Sequence, residues 1–91
     1  MNVNIFGKTY RVQITKQRPS GVADVNYKDR LIRIQETKDR QYFDECLVHE
    51  MGHATVERLG IHNAKLSSDL EEIICDAFAK VITENFRLVR K

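Results

Sequence analysis

Apolar and polar residues alternate along the first third of the chain, which is the period of a half-buried β-strand. Residues 3–6 and 9–15 form two β-rich runs around Gly7-Lys8, and this arrangement predicts an antiparallel hairpin. In the second run the alternating apolar residues are Tyr10, Val12 and Ile14. Residues 17–21, which contain the one proline of the chain, predict a loop after this hairpin.

A second hairpin is predicted from residues 22–27 and 31–35, with a turn at residues 28–30. In its last strand Ile32 and Ile34 are expected to face the core. The opposite side of that strand would carry Leu31, Arg33 and Gln35.

From about Asp39 to Leu59 the apolar period changes to that of a helix. The positions that follow this period are Phe43, Leu47, Val48, Met51, Ala54 and Val56. Gly60 stands where a glycine commonly ends a helix, and residues 61–67 predict a short connection.

A second helix is predicted from Ser68 to about Leu88. Ser68-Asp69-Leu70-Glu71 matches a capping box, in which the Ser68 hydroxyl and the Glu71 carboxylate each accept from a backbone N–H. Its broad apolar face, expected to pack into the core, consists of Ile73, Ile74, Ala77, Phe78, Val81 and Ile82. The elements together predict one α+β domain over residues 1–91, with a small twisted, antiparallel-rich sheet of three to four strands packed on two helices.

The first predicted helix contains His49-Glu50-Met51-Gly52-His53, a His-Glu-x-x-His motif. Positions i and i+4 lie on one face of a helix, about 5–6 Å apart at Cβ, so both imidazoles can bind the same ion. This is the spacing found on the active helix of zinc metallopeptidases. The motif therefore predicts a Zn²⁺ site with His49 and His53 as ligands.

A catalytic zinc needs a third protein ligand, and the second helix offers Glu71, Glu72 and Asp76. Glu72 is the predicted ligand because the capping box would engage Glu71, although Glu71 remains the alternative. Asp76 lies one turn beyond Glu72 and is expected to accept a hydrogen bond from the far ring nitrogen of a ligating histidine.

Glu50 would be the general base, taking a proton from water whose pKa the metal lowers to about 7. The leaving amine would then receive this proton. An additional group that stabilises the oxyanion is not selected by spacing, and the candidates by residue type are Tyr27, Tyr42 and His62.

The two motifs resemble those of the small gluzincin-type metallopeptidases of the ImmA/IrrE group, which are common in phages and mobile elements. The resemblance rests on His49-Glu50-x-x-His53 and on Glu72-x-x-Cys75-Asp76-x-Phe78-Ala79, where Cys75 replaces the usual alanine, and it extends over roughly residues 22–82. It implies a zincin-like fold, in which a twisted sheet backs the active helix. It further implies that extended peptide pairs with an edge strand, for which the strand at residues 31–35 is a candidate.

Composition and charge limit the functions and locations that the sequence allows. With 15 Lys and Arg against 13 Asp and Glu, the net charge is only +2 and the basic residues are scattered along the chain. This distribution does not indicate nucleic-acid binding. The sequence has neither a membrane-length apolar run nor a signal-peptide pattern at its first residues, and this predicts a cytoplasmic protein with reduced cysteines. Cys46 and Cys75 are expected to be buried thiols, although Cys46 lies on the histidine face and would close the site structurally if it reached the metal.

The sequence thus predicts a zinc-dependent metalloendopeptidase that cleaves a protein or peptide substrate. The alternative is a zinc-stabilised, weakly active or inactive protein-binding module of a phage or mobile element.

Overall fold

The computed structural model describes residues 1–16, 21–60 and 66–89. It contains a four-stranded mixed sheet and two helices that pack together, which confirms the predicted α+β class. The elements are β1 (Asn2–Ile5), β2 (Lys8–Thr15), β3 (Ala23–Asn26), β4 (Leu31–Gln35), α1 (Arg40–Leu59) and α2 (Ser68–Asn85).

Both predicted hairpins are present, since β1 pairs antiparallel with β2 and β3 pairs antiparallel with β4. The turn of the first hairpin places Phe6 and Gly7 at φ of 48° and 79°. Two consecutive positive φ angles are typical of the two-residue turns whose twist matches that of paired strands. Glycine adopts this conformation without a steric penalty, which explains why the chain reverses there.

The strand order is β1-β2-β4-β3, so β4 lies inside the sheet. It pairs parallel with β2, with Val12 opposite Ile32, while its other edge pairs with β3. The expectation that residues 31–35 offer a free edge is therefore wrong, because the backbone groups of β4 are used on both sides. The edge strands are β1 and β3.

The apolar core lies between one face of the sheet and α1. Tyr10, Ile32 and Ile34 are almost completely buried there, and Leu47 and Ala54 of α1 pack against them. The predicted burial of Ile32 and Ile34 is confirmed. Ile14, on the same face of β2, is 60% exposed, so the buried part of that face ends before this residue.

α2 packs on α1 rather than on the sheet. Its buried side is a row of residues with a spacing of four: Glu71, Cys75, Ala79 and Thr83. The prediction that the apolar face of this helix packs into the core is wrong, because Ile73, Phe78 and Val81 are more than half exposed. Helix α1 already covers the core, and the small residues of α2 allow the two helices to approach closely.

Local signals explain where the helices begin and end. The Asp39 carboxylate accepts from the Tyr42 amide at the start of α1, and Gly60 ends this helix with a φ of 71°, as predicted. α2 ends at Asn85, three residues before the predicted end. Residues 17–20 and 61–65, most of the two predicted loops, lie outside the described residues. Neither α1 nor α2 is both long and apolar enough to cross a membrane.

Candidate metal centre

α1 presents His49 and His53 on the side that faces α2. Their ring centroids are 4.7 Å apart and the rings meet edge to face, with an interplanar angle of 63°. The two Nε2 atoms are 3.0 Å apart, as expected for side chains one helical turn apart that turn toward a common point.

Glu72 of α2 reaches the same point. One oxygen of its carboxylate, Oε1, is 2.9 Å from Nε2 of His49, and Oε2 is 2.9 Å from Nε2 of His53. These three residues form a group that could hold a metal ion, with their ligand atoms all within 4.8 Å of one another. The structure thus brings together the three residues that the sequence predicts as ligands. Glu72 is 54% exposed, whereas both histidines are largely covered, so the group opens to solvent on the side of Glu72.

The far nitrogen of each ring contacts a carboxylate of α2. Nδ1 of His49 lies 2.8 Å from Oδ1 of Asp76, which is the contact predicted for Asp76. Nδ1 of His53 lies 2.5 Å from Oε2 of Glu71. Each histidine is therefore oriented by its own acidic residue of α2. These two acidic residues, Glu71 and Asp76, lie five positions apart on the helix.

The contact of Glu71 corrects the predicted capping box. The residue that caps α2 is Ser67, not Ser68, and its hydroxyl accepts from the Leu70 amide at 3.1 Å. Glu71 is buried against α1 and its carboxylate is used by His53. The row of Glu71 with small residues at intervals of four was a signal in the sequence that this carboxylate points toward α1.

The donor set of the group suits a cation. A carboxylate only accepts hydrogen bonds, so Asp76 and Glu71 require a proton on Nδ1 of His49 and His53. In a neutral imidazole the other nitrogen is then a bare acceptor. Two unprotonated Nε2 atoms and the Glu72 carboxylate would then lie at about hydrogen-bond distance with no proton between them, so their lone pairs would repel one another. A metal ion bound between them would remove this repulsion.

Without a metal, the same crowding favours a proton on the imidazole of His53. Burial lowers the pKa of His53, but the hydrogen bond to Glu71 and the charges of Glu50, Glu72 and Glu71 raise it more. The net shift of this pKa is upward. Protons and a metal ion would therefore compete for the same nitrogen.

Glu50 lies beside the ligands on the buried side of α1. It is 7% exposed and shares that side with Leu47 and Ala54. Burial raises the pKa of the Glu50 carboxyl, while the charges of His49 and His53 act in the opposite direction. A carboxyl with a raised pKa next to a candidate metal is typical of a residue that accepts and returns a proton.

Two of the candidate oxyanion stabilisers, Tyr27 and Tyr42, lie in the described part of the chain, and of these two Tyr27 is the one influenced by both Glu50 and Glu71. Burial and the charges of Glu71 and Glu50 raise the pKa of the Tyr27 phenol to about 12, so the hydroxyl stays protonated at neutral pH and can donate. Tyr42 instead hydrogen-bonds to Cys46. His62 lies outside the described residues.

The two cysteines are both buried and free. Cys46 belongs to the core between the sheet and α1, and among the described residues the metal-holding group does not include it. Cys75 lies at the contact between the helices, where a Cβ added to Gly52 would be 2.9 Å from its Sγ. The glycine inside the His-Glu-x-x-His motif therefore lets α2 come close enough for Glu72 and Glu71 to reach the histidines.

Comparisons of this chain with models of known protein families, with characterised proteins and with solved structures find no match.

Proposed function

We propose that this chain is a zinc-dependent metallopeptidase that hydrolyses peptide bonds in a protein substrate. The observation that carries the proposal is the convergence of Nε2 of His49, Nε2 of His53 and the Glu72 carboxylate, with Glu50 buried beside them. Two histidines and a glutamate are a common ligand set of catalytic zinc. Bound there, zinc would polarise a carbonyl group and lower the pKa of water.

In this proposal Glu50 moves the proton. Its carboxylate accepts a proton from the attacking water and returns it to the nitrogen of the departing amine. The raised pKa of Glu50 fits both steps. A carboxylate with a raised pKa accepts a proton more readily than an ordinary carboxylate does, and its protonated form is still acidic enough to protonate the departing amine. Asp76 and Glu71 hold the two imidazoles in one tautomer and orientation.

The edge of β3 is the candidate surface for the substrate backbone. Because the Gln35 amide donates to the Val22 carbonyl, the alternation of an antiparallel pair directs the backbone groups of Ala23 and Val25 away from β4. An extended peptide could pair with these groups. β3 also contacts α1, and Tyr27 follows its end, so its hydroxyl is the donor that we assign to the developing oxyanion.

Metal content and cleavage test the proposal when they are measured on the same preparations. The wild type is purified without chelator, its zinc is quantified, and its cleavage of an unstructured protein is followed by mass spectrometry. We expect one zinc and cleavage for the wild type, zinc without cleavage for Glu50→Gln, and neither for His53→Ala.

Glu84→Gln is the matched control, since Glu84 is an exposed carboxylate near the end of α2 and away from the metal-holding group. It should retain both zinc and cleavage. Cleavage by Glu50→Gln at the rate of the wild type would contradict the role of Glu50, and a wild type that binds no zinc would overturn the proposal.

A zinc-stabilised binding module is the second candidate, and one observation favours it. The three ligands come from both helices, so an ion would join α2 to α1 whether or not it had a catalytic role. Zinc bound by the wild type, with the same absence of cleavage as in Glu50→Gln, would support this candidate.

The resemblance of the two motifs to the ImmA/IrrE group supports the peptidase and a zincin-like arrangement. It is also the basis for proposing a phage or mobile-element origin. The cytoplasmic location expected from the sequence remains a prediction.

A further inference from the structure

The acidic residues of this chain are concentrated on its two helices. α1 and α2 together contain nine Asp and Glu residues against three Lys and Arg residues, whereas the whole chain has 13 against 15. The net charge of +2 is therefore unevenly distributed, and the helices carry an excess of six negative charges. The metal-holding group lies between these two helices.

Three of the acidic residues form a row along α2. Asp69, Glu72 and Asp76 are spaced by three and then four positions, so they lie on one side of the helix. All three are exposed, and the side chains of Glu72 and Asp76 are 54% and 59% exposed. We call this row the acidic margin, since it borders the side on which the metal-holding group opens to solvent.

The acidic margin is not neutralised by a cation of its own helix. Lys80 is the one cation within α2, and its Nζ is 3.0 Å from Oε1 of Glu45, so its charge is balanced on α1. The ion pairs that Glu72 and Asp76 form within the described residues are with the two histidines. The acidic margin therefore keeps carboxylates that pair with no Lys or Arg of the described chain.

A bound zinc ion would leave these surroundings negative. Four carboxylates lie around the two histidines, and they belong to Glu50, Glu71, Glu72 and Asp76. Zinc would add two positive charges, which is fewer than the three carboxylates that remain charged when Glu50 is protonated. The negative charge also acts at the end of β3, where burial and the charges of Glu71 and Glu50 raise the pKa of the Tyr27 phenol.

The acidic margin has the length of a short peptide segment. Asp69 and Asp76 are seven positions apart, which is about 10 Å along a helix. An extended polypeptide covers this distance in about three residues. Lysine and arginine carry their charges at the ends of long side chains, so two basic residues close together in a peptide can reach the acidic margin while the backbone lies nearer to the histidines. An acidic peptide would be repelled from the same place.

We propose that the substrate of this site is an extended polypeptide segment rich in lysine and arginine, which the acidic margin selects by charge. The cleavage of the segment rests on the proposed peptidase function, whereas its selection by charge can be measured separately as binding. Opposite charges would also speed the encounter of the segment with the site, and this effect weakens as salt is added.

Three unstructured peptides of equal length test the proposal. They are identical except at a set of positions that are all lysine, all glutamine or all glutamate. Their binding to zinc-loaded Glu50→Gln is followed by fluorescence anisotropy, and their cleavage by the wild type is followed by mass spectrometry. At low salt we expect the lysine peptide to bind about 10-fold tighter than the glutamine peptide, and the glutamate peptide to bind most weakly. Salt at about 0.5 M should reduce this preference to about 2-fold, and kcat/KM of the wild type should follow the same order.

Asp69→Lys tests the acidic margin without changing a predicted ligand or a carboxylate that contacts a histidine. It should weaken binding of the lysine peptide by roughly 3- to 10-fold and leave the zinc content unchanged. Glu84→Lys is the matched control, because it makes the same charge change on the same helix about 22 Å further along, and it should alter binding by less than about 2-fold. Circular dichroism and zinc content of both variants separate loss of selection from loss of the fold or of the metal.

Equal binding of the three peptides at low salt would overturn the proposal, and so would a preference for the lysine peptide that Asp69→Lys leaves intact. If the wild type cleaves all three peptides at equal rates, the peptidase function stands and selection by charge fails. If Glu50→Gln prefers the lysine peptide but the wild type cleaves none of the three, selection by charge stands and the peptidase function fails.

Discussion

The two faces of α1 are packed in different ways. Toward the sheet, α1 contacts large apolar side chains such as Tyr10, Ile32 and Ile34. Toward α2, the contact consists of small residues and ionisable groups, with Gly52 against Cys75 and His53 against Glu71. Apolar burial stabilises the first contact under most conditions, whereas the second contains groups whose protonation changes with pH and that could hold a metal ion. The comparison indicates that α2 is the part of the molecule whose attachment a metal would control.

The largest expected effect comes from the sheet side. Ile32→Ala removes a fully buried side chain and should lower the free energy of unfolding by about 2–5 kcal/mol, measured by urea denaturation. Ile14→Ala removes the same atoms from an exposed position and should change it by less than about 0.5 kcal/mol. Equal losses in both variants would show that the core does not lie where the structure has it.

The two cysteines allow the two contacts to be compared in one unmodified protein. Cys46 reports on the sheet side and Cys75 on the α2 side, and burial together with the charges of Glu71 and Glu72 raises the pKa of the Cys75 thiol to about 11. Both thiols are buried and both have a raised pKa, so alkylation near pH 8 is slow unless the surrounding contact opens. In protein kept at a free zinc concentration 100 times the Kd for zinc, removal of the zinc should speed the labelling of Cys75 by roughly 100-fold. The labelling of Cys46 should change far less.

Peptide mapping by mass spectrometry gives both rates from the same samples. Equal acceleration at both cysteines would mean that the helices and the sheet open together, and it would remove the distinction between the two contacts.

A third effect concerns the spacing between the helices. Gly52→Ala should destabilise the protein by about 1–3 kcal/mol and weaken zinc binding, because the new Cβ would lie 2.9 Å from Sγ of Cys75. In an isolated helix the same change would be favourable by about 1 kcal/mol. Cys75→Ala removes the contacting sulfur and should restore stability and zinc affinity in the double variant. A double variant no better than Gly52→Ala would contradict this account.

The smallest effect is expected at the ion pair between the helices. Nζ of Lys80 is 3.0 Å from Oε1 of Glu45, but the lysine is largely exposed. Lys80→Ala should therefore leave the denaturation midpoint and the zinc content unchanged within error. A clear loss of either would show that charge pairing contributes more to the attachment of α2 than the metal-holding group and small residues do.

These contrasts explain which features could be predicted from the sequence. The hairpins, α1 and its glycine cap follow from local patterns, and so do the two histidines, His49 and His53, that one helical turn places together. The pairing of β4 with β2 joins two separate hairpins, and the sequence of neither hairpin contains a local signal for it. The apolar period of α2 indicates that a face exists, but not whether this chain covers it. The sequence predicts a local capping role for Glu71 because its actual partner, His53, is distant in sequence.

The shortness of β3 has a consequence for selectivity. Four residues span about 13 Å, and only Ala23 and Val25 direct their backbone groups outward. A polypeptide that pairs there is aligned by its main chain over a few residues, and backbone pairing is indifferent to side-chain identity. Such an edge would recognise an extended conformation more than a particular sequence, so flexible segments and unfolded chains would be preferred over folded proteins.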